Sequence, residues 1–410
     1  MASLHPFRAL RPRPADAPRM AAVPYDVVST EEARALADGN PLSFLRVSRA
    51  EIELEPSTPP YSEAVYRRAA ENFSMLKRTS LVVESEPSVY CYRLRMGGHE
   101  QIGVGACYSI EEYDRDLIKK HERTRRDKED DRTRHLMALG AQTGPAFLTY
   151  RAAPDIDAVA ARVARGTPLF DFEADDQVRH TVWTAGGAER DALVAAFGRV
   201  STLYIADGHH RAASAARARD ERRARPATGN SPGDDADETT MLAVAFPHDQ
   251  VQILAYNRIV KDLGGIPATQ FLAAVGEHFT MEAGPAIPVG RGDIAMYFLG
   301  RWRTLRRPEG RDRADLIASL DVSVLQDQLL APVLNIMDVR TDKRIDFVGG
   351  GRGTRPLEML VDSGQAAAAF SLFPVDVEDL MAVADAGALM PPKSTWFEPK
   401  LRDGLLMHVI

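Results

Sequence analysis

Between Ser201 and Arg219 the sequence reads STLYIADGHHRAASAARAR, and this stretch restricts the fold more than any other. Thr202 to Ala206 is a compact apolar run of strand length, and an Ala-rich run of high helix propensity begins only a few residues later. The chain must therefore pass from strand to helix within Asp207-Gly208-His209-His210-Arg211. A glycine there permits a close backbone approach, and the first N–H groups of the new helix lack intrahelical acceptors, which makes a ready anion site. Two imidazoles, a carboxylate and a guanidinium within five residues point to chemistry. The bland alternative is a tight turn whose Asp207 caps the helix and whose imidazoles pack or face solvent. No GxGxxG or GxxxxGK[ST] occurs at the turn, so any phosphate site is of another kind.

Strand and helix signals alternate irregularly along the rest of the chain. Ser29-Thr30-Glu31-Glu32 has capping-box spacing and opens a short helix to about Asp38, and Tyr61 to Arg78 is the next amphipathic helix. Ser88–Met96 and Gln101–Ile110 read as strands joined by a turn at Gly97-Gly98-His99-Glu100. Leu117-Ile118-Lys119-Lys120-His121-Glu122 sets a His-Glu pair directly after an apolar step. From Glu122 to Arg134 there follow six basic and five acidic side chains, the pattern of a solvated helix face. Gly144-Pro145 breaks that helical run before a strand at Ala146–Tyr150. Asp220–Glu238 reads as a polar loop, with strands expected at Met241–Phe246 and Val251–Tyr256. Beyond it, helices are predicted near Thr269–His278, Ser323–Leu334 and Val377–Ala386. Strands are predicted at Ile294–Leu299, Trp302–Arg306 and Ala367–Pro374, and Met390–Leu401 fits neither state. Hairpins interleaved with helices make an α+β, or mixed α/β, fold rather than a uniform parallel βαβ array.

A chain of 410 residues exceeds one simple core, and three regions are expected: 1–110, 111–260 and 261–410. Its net charge of −7 gives no global basic field toward nucleic acid or an anionic membrane surface, so nucleic acid is not expected as a partner. Cys91 and Cys107 are the only cysteines, which excludes a disulfide framework and a cysteine-based zinc site. With no apolar segment of signal-peptide or membrane-spanning length, a cytoplasmic location is expected.

Several further segments carry a resemblance: PFRALRP, VPYDVVS, GNPLSFLRVSR, KHERT with EDDR, AQTGPAFLTY, YIADGHHR, VLQDQLLAPVL, TDKRIDFVGG and MPPKSTWFEPKLRDGLL. Over almost its full length the chain resembles the bacterial family filed as domain of unknown function 1015, whose members are often labelled serine-kinase-like. The central part of that family is in turn similar to the ParB/sulfiredoxin fold. That fold includes ParB nucleotide-binding domains and free L-serine kinases that make O-phosphoserine. The resemblance implies a ParB/sulfiredoxin-like catalytic region at 111–260, with N- and C-terminal α+β additions packed on it. It implies that Glu122 is the base on a substrate hydroxyl. It also implies that Asp207, Gly208, His209, His210 and Arg211 form the phosphate-binding turn, with ATP or ADP as donor and Mg2+ as the accompanying ion. Lys120 stands where the kinases tend to have Pro.

Three functions follow. The first is a small-molecule kinase acting on a free hydroxy amino acid, L-serine foremost, with Glu122, His121, Asp207 and His210 as catalytic groups and Asp207 as a Mg2+ ligand. Phosphoryl transfer asks for charge-neutralising donors and a positioned base more than for covalent chemistry, and these residue types supply both. Lys393, Ser394 and Thr395, on a loop stiffened by Pro391-Pro392, would add anion contacts. Tyr25-Asp26 and Thr341 to Arg344 are weaker contact candidates, whereas His5, His99, His278 and His408 show no ligand spacing. A ParB-like nucleotide-binding switch is the second function. The third is a metal-dependent hydrolase using His121, Asp207, His209 and His210, although adjacent His209 and His210 cannot easily face one ion. Nucleotide and a small-molecule substrate are the expected partners, and the oligomeric state is left open.

Overall fold

The apolar runs of the first half of the chain pair into one mixed sheet. The structure is a computed structural model describing residues 1–224, 239–307 and 315–410. Among them the sheet is built from β1 (Leu4–His5), β2 (Val89–Met96), β3 (His99–Ser109), β4 (Ile118–Lys119), β5 (Ala146–Tyr150), β6 (Phe170–Glu173), β7 (Val178–Ala185), β8 (Leu203–Asp207) and β9 (Thr240–Pro247). Its order is β4-β8-β5-β9-β3-β2-β7-β6, with β1 beside β3. Most neighbours run antiparallel, but β8 is parallel to β4 and β9 is parallel to β5. The predicted hairpin closes with Met96 opposite His99, so only Gly97 and Gly98 lie in the turn.

Alternation decides how the sheet is covered. Cys91, Val104, Ala106, Leu148, Leu203, Ile205 and Ala243 belong to one buried cluster, as expected for residues two apart on one face. Their neighbours Tyr90, Tyr92, Cys107, Phe147, Tyr204, Leu242 and Val244 are buried as well, so both faces are covered. The longer helices of this half are α1 (Thr30–Ala37), α2 (Glu63–Thr79), α3 (Arg126–Leu139), α4 (Pro154–Val163), α5 (Gly187–Phe197) and α6 (His209–Arg223). The last three pack Ile156, Val159, Leu193, Phe197, Ala212 and Ala215 into that cluster. Alanines let α6 lie close on the sheet while keeping helix propensity high. The predicted capping box is formed, with Ser29 Oγ accepting the Glu32 N–H and Glu32 accepting the Ser29 N–H. Both cysteines are buried thiols without a disulfide.

The chain divides into one unit of Met1–Val251 with Pro399–Ile410 and another of Gln252–Glu398. This differs from the expected regions 1–110, 111–260 and 261–410, because β3 pairs with β9 and so ties residues on both sides of position 110 into one sheet. In the second unit a six-stranded antiparallel sheet runs in the order Thr280–Ala283, Arg301–Arg306, Asp293–Phe298, Ala368–Leu372, Tyr256–Val260, Ile345–Gly349. The strand expected at Val251–Tyr256 is two strands, Gln252–Leu254 and Tyr256–Val260, with different partners. The helix expected at Ser323–Leu334 starts at Asp321 and widens into a π turn at Gln326–Leu330. The start of the polar loop expected at Asp220–Glu238 is instead the last turn of α6, which continues to Arg223, and residues 225–238 of it lie outside the described residues. Among the described residues no helix is long and apolar enough to cross a membrane.

Candidate active site

The strand-to-helix turn is shaped by one extra residue. Tyr204 faces Thr149 and Ile205 faces Leu148, but the next partner of β5 residue Phe147 is Asp207, leaving Ala206 as a bulge. A bulge re-aims the side chain after it and ends regular pairing. Gly208 then takes φ +88°, and its carbonyl accepts the N–H groups of Arg211 at 2.9 Å and Ala212 at 3.1 Å, which starts α6. Asp207 closes the turn from within: Oδ1 accepts the Gly208 N–H at 2.8 Å, and Oδ2 accepts from Lys400 Nζ at 2.7 Å. Burial opposes the charge on Asp207, but the Lys400 ammonium beside it holds the carboxyl well below its usual range.

Parallel pairing explains why a second segment arrives here. Ile118 and Lys119 of β4 lie opposite Leu203 and Tyr204 of β8, so both strands leave the sheet at the same edge. The carboxyl ends of neighbouring parallel strands are where open α/β sheets form their clefts. The residues next out of β4 are Lys120, His121 and Glu122, and they meet the first residue of α6. The His121 and His209 rings touch edge to face, with centroids 4.5 Å apart and planes at 86°. Ligand atoms of His121, Glu122 and His209 all lie within 4.8 Å of one another, the two imidazoles buried and the carboxylate half-buried. Burial pushes the His121 imidazole down to about 4, against opposing effects of its bond to the Ile205 carbonyl and of Asp207. His209 is driven well below the ordinary range by burial and by His121. Both rings are therefore neutral at pH 7, the state that offers a lone pair.

His210, next in sequence, points elsewhere. Its Nε2 accepts the Arg125 N–H at 3.0 Å, so the ring proton sits on Nδ1. That bond joins the start of α6 to the start of α3, and Arg217 reinforces the junction by reaching Asp130 at 2.6 Å and Glu129 at 3.4 Å.

The structure thus gathers His121, Glu122, Asp207, Gly208, His209 and His210 and gives Arg211 another task. Its guanidinium donates to the Pro145 carbonyl at 2.8 Å and pairs with Asp403 at 3.1 Å. It also lies 5.8 Å from the centroid of the Tyr25 ring, which Arg132 covers at 4.1 Å. Tyr25 and Asp403 are buried and the two arginines half-buried, so Arg211 ties the turn to the interior. Asp207, expected as a Mg2+ ligand, spends its oxygens on Lys400 and the Gly208 N–H. Lys393, Ser394 and Thr395 belong to the second unit. There Lys393 accepts from Arg258 through its carbonyl at 3.0 Å and Ser394 Oγ donates to the Pro391 carbonyl at 2.6 Å. Sequence reasoning missed Lys400 and Asp403, both in the buried segment Pro399–Met407. A partial signal was present, since EPKLRDG puts four charges, Glu398, Lys400, Arg402 and Asp403, beside the apolar run of the tail.

No curated protein matches the chain. Solved structures that align with it include a conserved hypothetical protein from Pyrococcus furiosus, at 14% identity and TM-score 0.38 over 74% of this chain and 94% of that one. A free serine kinase in complex with AMP aligns at 13% identity and TM-score 0.38, over 73% and 91%. SbnI with a C-terminal truncation, from Staphylococcus aureus, aligns at 12% identity and TM-score 0.38, over 74% and 86%. The family described as a protein of unknown function (DUF1015) matches residues 4–323, which include every residue gathered at the turn except Lys400, and the chain belongs to that family.

Proposed function

We propose that the protein is a small-molecule phosphotransferase with a ParB/sulfiredoxin-like central unit, moving phosphate from ATP or ADP to the hydroxyl of a free hydroxy amino acid, L-serine foremost. One observation carries this reading: a half-buried carboxylate, Glu122, stands within 4.8 Å of the first side chain of a helix whose amino end opens at the carboxyl edge of two parallel strands. Such a helix start offers N–H donors and the positive end of the helix dipole to phosphate oxygens. The Lys400 ammonium, paired with the Asp207 carboxylate, places a further N–H donor beside the turn. Glu122 takes the hydroxyl proton as the acceptor oxygen attacks, and His210, anchored by Arg125, holds the wall of the cleft. The donor set at the turn fits phosphate. With the Asp207 carboxylate engaged, Mg2+ would be held by the nucleotide's own phosphates, where it supplies charge neutralisation.

The test is a phosphorus NMR and mass-spectrometric screen of the protein with Mg2+, ATP or ADP, and a pool of hydroxy amino acids and hydroxy acids. A new phosphomonoester is expected, its formation slowed at least about 100-fold by Glu122→Gln with nucleotide still bound, as for loss of a general base. Nucleotide that binds but stays unchanged across the whole pool would replace this reading with a ParB-like switch.

A further inference from the structure

The paired imidazoles at the cleft are not explained by packing. His209 is 7% exposed, and its Nε2 is buried with no hydrogen-bond partner among the described residues. Leaving such a nitrogen unmatched forfeits its hydration without compensation, a cost that an apolar side chain of similar size would avoid. The neighbouring ring is set up differently. His121 donates an N–H to the Ile205 carbonyl, the outer-partner arrangement that fixes the tautomer and orientation of a metal-ligating histidine. Glu122 completes the group from the half-buried side.

We propose that His121, Glu122 and His209 form a binding site for a divalent first-row transition ion, zinc foremost. Two imidazoles and one carboxylate suit zinc and its neighbours far better than Mg2+, which prefers oxygen ligands in an octahedron. An ion with arms of about 2.1 Å spans tetrahedral ligand pairs about 3.4 Å apart, so the group closes on it by side-chain rotation of roughly 1 Å. Glu122 is the half-buried member of the three. Three protein ligands leave a fourth position for water or a substrate oxygen. This assignment does not rest on the kinase reading and stands whether or not the turn holds a nucleotide. Where both hold, the ion occupies the carboxylate that would act as base, and zinc inhibits turnover.

Zn2+ titration of the chelator-treated protein in competition with a chromophoric chelator tests the assignment. One tight site per chain is expected, with affinity lowered at least about 100-fold in His209→Ala and in His121→Ala and unchanged in His99→Ala. Because a buried histidine variant can fail to fold, Co2+ is also added to the parent protein. Intense d–d bands of a four- or five-coordinate ion are expected, and they bleach on adding Zn2+. The proposal is overturned by less than one tight Zn2+ per chain, by folded histidine variants that bind as the parent does, or by the weak six-coordinate spectrum of an adventitious surface ion.

Discussion

Position 208 disfavours a side chain on two counts. Its φ of +88° lies where L-residues are strained, and a Cβ there would sit 3.3 Å from the Ala146 Cα of the adjacent strand, which is backbone and cannot swing aside. Gly208→Ala is therefore expected to lose about 1–3 kcal/mol in denaturant unfolding. It should also weaken inorganic phosphate binding, since the turn presents the first N–H groups of α6. An unchanged unfolding midpoint would mean that the turn relaxes without strain. Asp207, Gly208, His209 and His210 were legible because they are contiguous. Lys400 was not, since it lies 193 positions from Asp207 and nothing in a single sequence pairs them. His209 and His210 also had to be told apart, and only the fold does so: one ring turns toward His121, the other toward the Arg125 N–H.

At the level of elements, the apolar run matches the strand Leu203–Asp207 to within a residue, whereas the helix His209–Arg223 begins inside the turn expected at Asp207–Arg211 and runs past Arg219 into the segment expected as loop. The bulge at Ala206 left no trace in the hydrophobic pattern, because Ala206 is buried like its neighbours. The GP pair at Gly144-Pro145 reads as a helix breaker, but its structural meaning is a close approach. A Cβ on Gly144 would fall 2.2 Å from Asp403 Oδ1, and the Pro145 carbonyl accepts from Arg211. These contacts change what Arg211 should do in experiment. With side chains only 16% and 4% exposed, the Arg211–Asp403 pair is a buried one. Removing one partner from such a pair costs about 3–5 kcal/mol by leaving the other charge uncompensated. Arg211→Ala is expected to lower stability on that scale in urea unfolding. The double variant with Asp403→Ala should recover part of the loss, as coupled neighbours do. Equal stability of Arg211→Ala and the parent, with nucleotide affinity selectively lost, would return Arg211 to the phosphate site.

Across the whole molecule, the second unit interrupts the first in sequence, and Pro399–Ile410 returns to complete the unit that Met1–Val251 began. Composition does not mark those borders, because strands of similar apolar character lie on either side of them. Burial in the first unit has a consequence for pH. Burial pushes the His135 imidazole down to about 4, Arg132 adding to the effect and the bond to the Val47 carbonyl opposing it. His180 is lowered well below its usual value by burial and by Arg402, which donates to its Nε2 at 3.1 Å. Unfolded, both rings titrate near 6.5. Between that pH and about 4 the unfolded chain binds protons that the folded unit refuses, so stability is present above pH 6.5 and is lost as the pH falls. Asp403 acts oppositely, since burial raises its carboxyl from 3.8 to about 6, and its contribution is lost as the pH rises through that range. His121 and His209, lowered by burial in the same unit, act in the same direction as His135 and His180, so four imidazoles outweigh the one carboxyl and acidification destabilises the unit. Calorimetric melting should accordingly show the first unit's Tm falling between pH 7 and pH 4.5. In His135→Gln the slope should shrink, because one of these imidazoles no longer titrates. A Tm that stays level or rises toward pH 4.5 would mean that these imidazoles charge in the folded state.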